Sequence, residues 1–194
     1  MQVNALKVII LVTVVAIWQL LSVSSLFVHQ LLPSPWETVL SIKTLSIGGL
    51  PQGYKLVSHI EESLYRVLYG FSLALIVAIP LGIMMGWSGV LRELVTPLVE
   101  IVRPIPPLAW IPLAIFWFGI GLWGKVFIIW LGGVVPCVIN AFVGVRMTNP
   151  TLIQMARTYG ATAWQIFKTL CVPSALPMVF GALQIALACA WTNL

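Results

Sequence analysis

The chain has 194 residues, 60% of them hydrophobic and 8% charged, with a mean hydropathy of +1.06. A soluble domain carries about 25% charged residues, so the composition excludes an ordinary water-soluble enzyme or binding module and specifies an integral membrane protein. The net charge of +5 is no nucleic-acid signal, because the basic residues are scattered between apolar runs, where their sidedness matters more than their sum.

Leu6 to Phe27 is the first apolar run. It is longer than the roughly 7–15 apolar residues of a secretory signal and no A-x-A site follows, so it reads as a retained transmembrane helix rather than a signal peptide. Residues 29–63 form the one long polar segment, punctuated by Pro33, Pro35, Gly48, Gly49, Pro51 and Gly53. Within it, LPSPWETVLSIKTL predicts a short helix opening at Ser34 or Pro35, with Glu37 in its first turn. SHIEESLYRVLYGF predicts a helix starting at Ser58, with Ser58 and Glu61 as a capping box. His29 and His59 lie far apart in this segment and read as surface residues.

Val67 to Trp87 is the second membrane-length run, and Gly82 and Gly86 within it are spaced for close approach of another helix. WSGVLRE, from Trp87 to Glu93, reads as a short polar link. The third run, Leu94 to Gly119, holds Pro97, Pro104, Pro106, Pro107 and Pro112. Each proline removes a backbone donor, and irregular backbone at membrane depth is tolerated only where protein buries it or where it lines a wet cavity. Glu100 and Arg103, three apart before the prolines, could pair on one helix face, either near the membrane surface or beside a pathway.

GIGLWGK, Gly119 to Lys125, matches a glycine-rich phosphate-binding loop by spacing only. Val126 stands where a Ser or Thr would meet magnesium, and no strand precedes it, so it reads as a turn between membrane helices. Val126 to Val145 is the fourth run, with Asn140 inside it to bond a neighbouring helix or contact a solute; Arg146 closes it. From about Ser174 the chain is apolar again, with Gln184 and Asn193 as exceptions. Cys137, Cys171 and Cys189 sit in or beside apolar runs with no paired spacing, and read as small packing residues rather than metal ligands or a disulfide framework.

If the N-terminus is cytoplasmic, the inside segments carry Lys7, Arg92, Arg146, Arg157 and Lys168, and the outside segments carry Lys43, Lys55, Arg66 and Lys125, offset by Glu37, Glu61 and Glu62. The positive-inside rule then favours that orientation. It places NPTLIQMARTYGATAWQIFKTLCVPSALP, Asn149 to Pro177, in the cytoplasm. Asn149 is a good N-cap and Pro150 a good first helical residue. Leu152, Met155, Ala156 and Tyr159 recur at the spacing of one apolar helix face. Gly160 ends that helix. Thr162 and Gln165 cap a second, whose apolar side is Trp164, Phe167 and Cys171. Pro173 and Pro177 mark the entry to the last membrane segment. Two short amphipathic helices with a glycine elbow could lie on the bilayer or dock to a partner.

QMARTYG, nine residues, then LCVP resembles the EAA loop of ABC-importer permeases. Gln154, Met155 and Ala156 stand for the triplet, Gly160 for the glycine, and Leu170, Val172 and Pro173 for the tail. VRPIPPLAWIPLAIFWFGIG, LPSP at Leu32, and RVLYGFSLALIVAIPLGIMMGWS are similar to the branch that contains nitrate, sulfonate, taurine, bicarbonate and thiamine-precursor permeases. Gln154 and Met155 depart from the pattern, which touches a specific ion pair with the ATPase rather than docking itself. The resemblance implies an all-α polytopic membrane protein of about five transmembrane helices with a type I importer core. A further helix would follow in the family, so a chain ending at Leu194 reads as a C-terminally truncated permease.

It further implies one transmembrane permease domain over 1–194: a first helix at 1–30, an extracytoplasmic segment at 31–65, and a core at 66–194 with a coupling loop at 147–173. Its partners would be a cytoplasmic ABC ATPase, an extracytoplasmic solute-binding protein, a second permease copy forming a homodimer, and the lipid bilayer, with no nucleic acid. Gln154, Met155, Ala156, Tyr159 and Gly160 are the expected ATPase-coupling residues. The expected pathway lining is Pro104, Pro106, Pro107, Trp110, Asn140 and Gln184. No catalytic residue, cofactor or metal site is expected. The solute would be a small anion such as a sulfonate or nitrate. The alternatives are an inactive fragment or accessory membrane scaffold, and a membrane-embedded enzyme, for which only Glu100 and Arg103 come close.

Overall fold

The computed structural model describes residues 2–24, 33–47 and 55–194. The predicted punctuation at residues 48–53, together with Phe27, His29 and Leu32, lies outside the described residues. Every regular element among those described is helical. The chain divides into two compact units, Met1–Glu61 and Glu62–Leu194.

In the first unit, α1 (Gln2–Val23) carries a stretch from Leu6 to Val23 long and apolar enough to cross a membrane, and most of its large side chains are exposed. A helix with that surface suits lipid, where each backbone group is already bonded along the helix. The predicted short helix is α2, Pro35–Ile47. Its start is a reciprocal cap: the Ser34 N–H donates to Glu37 Oε2 at 2.8 Å, and the Glu37 N–H to Ser34 Oγ at 3.2 Å. Trp18 Nε1 donates to the Pro33 carbonyl at 3.1 Å and ties α1 to the start of α2.

Helix α3 spans Leu56–Trp87 and corrects one expectation. The Lys55 carbonyl accepts the N–H groups of Ser58 and His59 at 3.1 and 3.4 Å. The helix therefore begins two residues before Ser58, which lies inside the first turn and caps nothing, and Glu61 falls in the second turn. The expected link from Trp87 to Glu93 also shrinks. Ser88 alone interrupts the chain, because its Oγ accepts the Leu91 N–H and caps α4 (Gly89–Val102).

In the second unit, α6 (Leu122–Arg146) is the central element and contributes the most buried residues. Glycines on α3 let it approach closely. A Cβ on Gly70 would meet Ile129, one on Gly82 the Val138 carbonyl and Ala141, and one on Gly86 Val145. These contacts advance together along both helices, so α3 and α6 run parallel. The chain between them must return to the end it came from. It does so through α4, a 3₁₀ turn at Pro107–Trp110 and α5 (Ile111–Phe118), a pair bent by 86°. With that pair counted as one broken crossing, the described residues hold five membrane crossings.

The bend falls at Arg103 to Pro107, where the prolines are expected to break the helix. Glu100 and Arg103 form no ion pair with each other, although Arg103, the C-cap of α4, is still helical and its N–H still reaches the Val99 carbonyl at 2.8 Å. Gly119, at φ 70°, then stops α5; of the GIGLWGK segment only Gly119 to Gly121 form the turn, and Leu122 to Lys125 are already the first residues of α6.

The last crossing, α9 (Val172–Thr192), packs antiparallel on α6. Gly144 lies against Ala175 and Met178, and Gly133 against Ala186. Ala78, Met85, Cys137, Val138, Ala182 and Ala186 form the buried core where α3, α6 and α9 meet. Pro173 and Pro177 do not separate this helix from the one before it. The chain is helical without a break from Ala163 to Thr192, through α8 (Ala163–Ile166) and a π-turn at Phe167–Cys171. Such a turn re-satisfies backbone groups freed by proline, which is why membrane helices tolerate it.

Candidate functional site

The stretch from Asn149 to Cys171 folds as a short, tightly terminated knob. Asn149 Oδ1 accepts the Thr151 N–H at 2.9 Å and opens α7 (Pro150–Thr158). Gly160 closes it at φ 82°. The Ala161 N–H reaches the Ala156 carbonyl at 3.0 Å and the Gly160 N–H the Arg157 carbonyl at 2.9 Å. That is the paired bonding of a helix ending on a left-handed residue. Nothing lies within 4 Å of where a Gly160 side chain would begin, so the backbone angle alone demands glycine. Thr162 and Gln165 then form the predicted box, with the Thr162 N–H donating to Gln165 Oε1 at 2.8 Å and the Gln165 N–H to Thr162 Oγ at 3.3 Å.

The knob has two faces. Ile153 and Ala156 pack on a core of Val145, Ile166, Cys171 and Ala175. The expected apolar face therefore splits. Of Leu152, Met155, Ala156 and Tyr159, only Ala156 turns inward; Leu152 and Met155 are about half exposed and Tyr159 is 86% exposed. Sequence reasoning misses the anchors Ile153 and Ile166. The signal for Ile153 is its i, i+3 step to Ala156, one residue round the helix from the Leu152 stripe. Gln154 is exposed beside Met155. Trp164 is also exposed, and its ring stacks on Phe167 at 5.4 Å, which in turn meets Trp87 at 5.3 Å. An apolar ridge of Leu152, Met155, Tyr159 and Trp164 thus stands outward on a fixed base.

The second region is a cavity of about 510 Å³ at the proline bend. Arg103, Pro107, Pro136, Asn140 and Asn193 line it, with apolar walls that include Leu131 and Ile185. Its lining on α6 runs from Leu131 to Asn140, so it lies near the middle of that crossing. Asn140 does not bond a neighbouring helix. Its Nδ2 donates to the Pro136 carbonyl on its own helix at 2.8 Å, and one N–H and the amide oxygen are left for the cavity. Asn193 is held the same way, by Nδ2 to the Cys189 carbonyl at 2.8 Å.

Of the expected lining residues, Pro107 and Asn140 are on this wall. Pro104 and Pro106 are exposed at the same bend, next to the lining Arg103 and Ile105. Trp110 is half-buried in the 3₁₀ turn, with its indole N–H buried and no acceptor among the described residues. Gln184 is exposed on α9 and does not line this cavity, whereas the adjacent Ile185 does. Sequence reasoning also misses Asn193 as a lining residue; its signal is the i, i+4, i+8 spacing with Ile185 and Cys189 on one helix face.

Comparison with known proteins gives this geometry a family. The profile described as binding-protein-dependent transport system inner membrane component matches residues 78–194, which contain both the knob and the cavity. A Methanocaldococcus jannaschii protein named as an ABC transporter permease is 36% identical over 188 residues, covering 96% of this chain and 69% of that one. The taurine transport system permease protein of Escherichia coli K12 is 34% identical over 187 residues, covering 95% and 67%. An aliphatic sulfonates transport permease protein of the same strain is 36% identical over 183 residues, covering 94% and 68%. The chain therefore belongs to the family of binding-protein-dependent transport system inner membrane components, as an ABC-type permease that crosses the inner membrane several times.

Proposed function

We propose that this chain is the transmembrane subunit of an ATP-driven importer for a small organic anion, coupled to a cytoplasmic ATPase through the knob at Asn149–Cys171. The observation that carries this is the outward ridge of Leu152, Met155, Tyr159 and Trp164 on a base fixed by Ile153 and Ile166. An apolar ridge on a short helix is suited to a groove on a partner. Met155, Tyr159 and Gly160 lie at this contact, Gln154 lies on its rim, and Ala156 anchors it.

Sidedness supports the reading. The ends of α3 and α6 that share this side of the molecule carry Arg92, Arg146, Arg157 and Lys168 against Glu93, while the opposite end of the second unit carries Arg66 and Lys125 against Glu62. The more basic end is the cytoplasmic one by the positive-inside rule. The segment at 31–65 is then extracytoplasmic, where a solute-binding protein would deliver its cargo, and a second permease copy would complete the pathway. The chain itself does no covalent chemistry; ATP is hydrolysed by the partner. Pro104, Pro106, Pro107, Trp110 and Asn140 at the bend are the pathway lining in this reading, with Gln184 beside it. The taurine and sulfonate relatives support an anionic solute.

The test is co-purification of the ATPase with the permease carrying Tyr159→Glu. A charge on an 86%-exposed ring leaves the fold intact. Loss of the ATPase together with loss of uptake is expected. Retention of both would mean that the ridge rests on lipid instead.

A further inference from the structure

We propose, on the importer reading above, that Arg103 is the anion-recognising residue of the permease itself, and that the cavity at the bend takes a short organic oxyanion with an apolar tail. Arg103 is the one charged side chain among the described residues that line the cavity of about 510 Å³. It stands at the start of the 86° bend, opposite the middle of α6. An ionisable residue at membrane depth is costly to keep and marks a solute or ion path.

The guanidinium is available. Among the described residues its side chain makes no salt bridge and no hydrogen bond, and the nearest acid in sequence, Glu100, does not pair with it. Glu100 lines a smaller cavity of about 180 Å³, which Arg103 and Ile139 also line, and is absent from the larger one. Among the described residues no acid lines the larger cavity, so Arg103 is the charge it presents. A guanidinium holds an oxyanion through two parallel N–H donors, which an ammonium cannot reproduce. Asn140 and Asn193 keep one amide N–H each for the remaining oxygens, because their other N–H is spent on Pro136 and Cys189. The rest of the wall is mostly apolar and includes Leu131, Val135 and Ile185, which suits a short alkyl chain. The volume falls in the range of about 300–1,000 Å³ usual for small-ligand sites.

The experiment uses the purified permease–ATPase complex without binding protein, with ethanesulfonate as probe and saturation-transfer NMR as readout. Wild-type complex is expected to bind ethanesulfonate saturably and to ignore the neutral ethanesulfonamide. Arg103→Gln should weaken binding by about tenfold or more, as expected for loss of a charge-assisted pair. Arg103→Lys should fall between the two, and Glu100→Gln should match wild type. Retained ATPase binding shows that a variant is folded. If Arg103→Gln does not assemble, the wild-type comparison of anion and neutral isostere still decides. Equal binding of the two, no saturable binding of ethanesulfonate, or full binding by Arg103→Gln would overturn the assignment. If no ATPase co-purifies with the wild-type permease, the importer reading fails before any ligand is added, whereas the outcomes above overturn the Arg103 assignment alone, so the two failures are distinguishable.

Discussion

Gly82→Ala adds one methyl group at one of three equally close approaches between α3 and α6, the one where the nearest atom is backbone. The new Cβ would lie 2.5 Å from the Val138 carbonyl oxygen, 2.7 Å from Ala141 Cβ and 3.1 Å from the Phe142 N. None of these atoms is the far end of a flexible side chain, so relief requires the two helices to separate. Overpacking of this kind costs about 1–3 kcal/mol, and the rigid backbone places this site at the upper end. Alanine returns about 1 kcal/mol in helix propensity. The net is about 2 kcal/mol of destabilisation, or about 4–8 °C in the unfolding midpoint for a chain of this size. The matched control is Gly181→Ala, also inside a helix, where nothing lies within 4 Å. It should gain the propensity alone and rise by about 2–4 °C. Scanning fluorimetry of the two variants in one detergent reads the difference directly. If Gly82→Ala melts at or above wild type, the parallel packing of α3 on α6 is wrong.

Ile166→Ala removes a side chain that is 1% exposed beneath the knob; it should cost about 2–5 kcal/mol and loosen ATPase binding, measured by melting and by co-purification. Gly160→Ala is strained by φ 82° although space is free; it should cost about 1–2 kcal/mol and reduce coupled uptake more than expression. Thr162→Val removes the hydroxyl of the box at α8, with an expected loss of about 1 kcal/mol, seen as faster proteolysis near Gly160.

The membrane crossings are legible in the sequence because an apolar run of membrane length has few uses outside a bilayer. The proline-rich bend is legible because Pro104, Pro106 and Pro107 leave the backbone little choice. Asn149, Gly160 and Thr162 are legible for a similar reason: each acts through its own local backbone. Where local chemistry has a competitor, the pattern misleads. Ser58 could cap a helix, but the Lys55 carbonyl opens one earlier. Pro173 and Pro177 favour a break, but a π-turn just before Pro173 and an α-helix that continues through Pro177 keep the segment helical. In α7 two apolar stripes lie one residue apart, and only packing on Val145 and Cys171 decides which turns inward. The cavity is the least legible part. It joins Arg103 to Asn140 and Asn193 across three separate helices, and no spacing within one helix reports that.

The unbroken helix from Ala163 to Thr192 has 30 residues, about 45 Å at 1.5 Å per residue. Trp164 stands at one end of this rod, and Ile185, Cys189 and Thr192 touch the central cavity near the other. A push on the indole therefore reaches the cavity wall as the motion of a single lever, with no loop in between to absorb it. The π-turn at Phe167–Cys171 is the weak joint of that lever. Its stiffness sets how much of a displacement at the surface arrives at the bend.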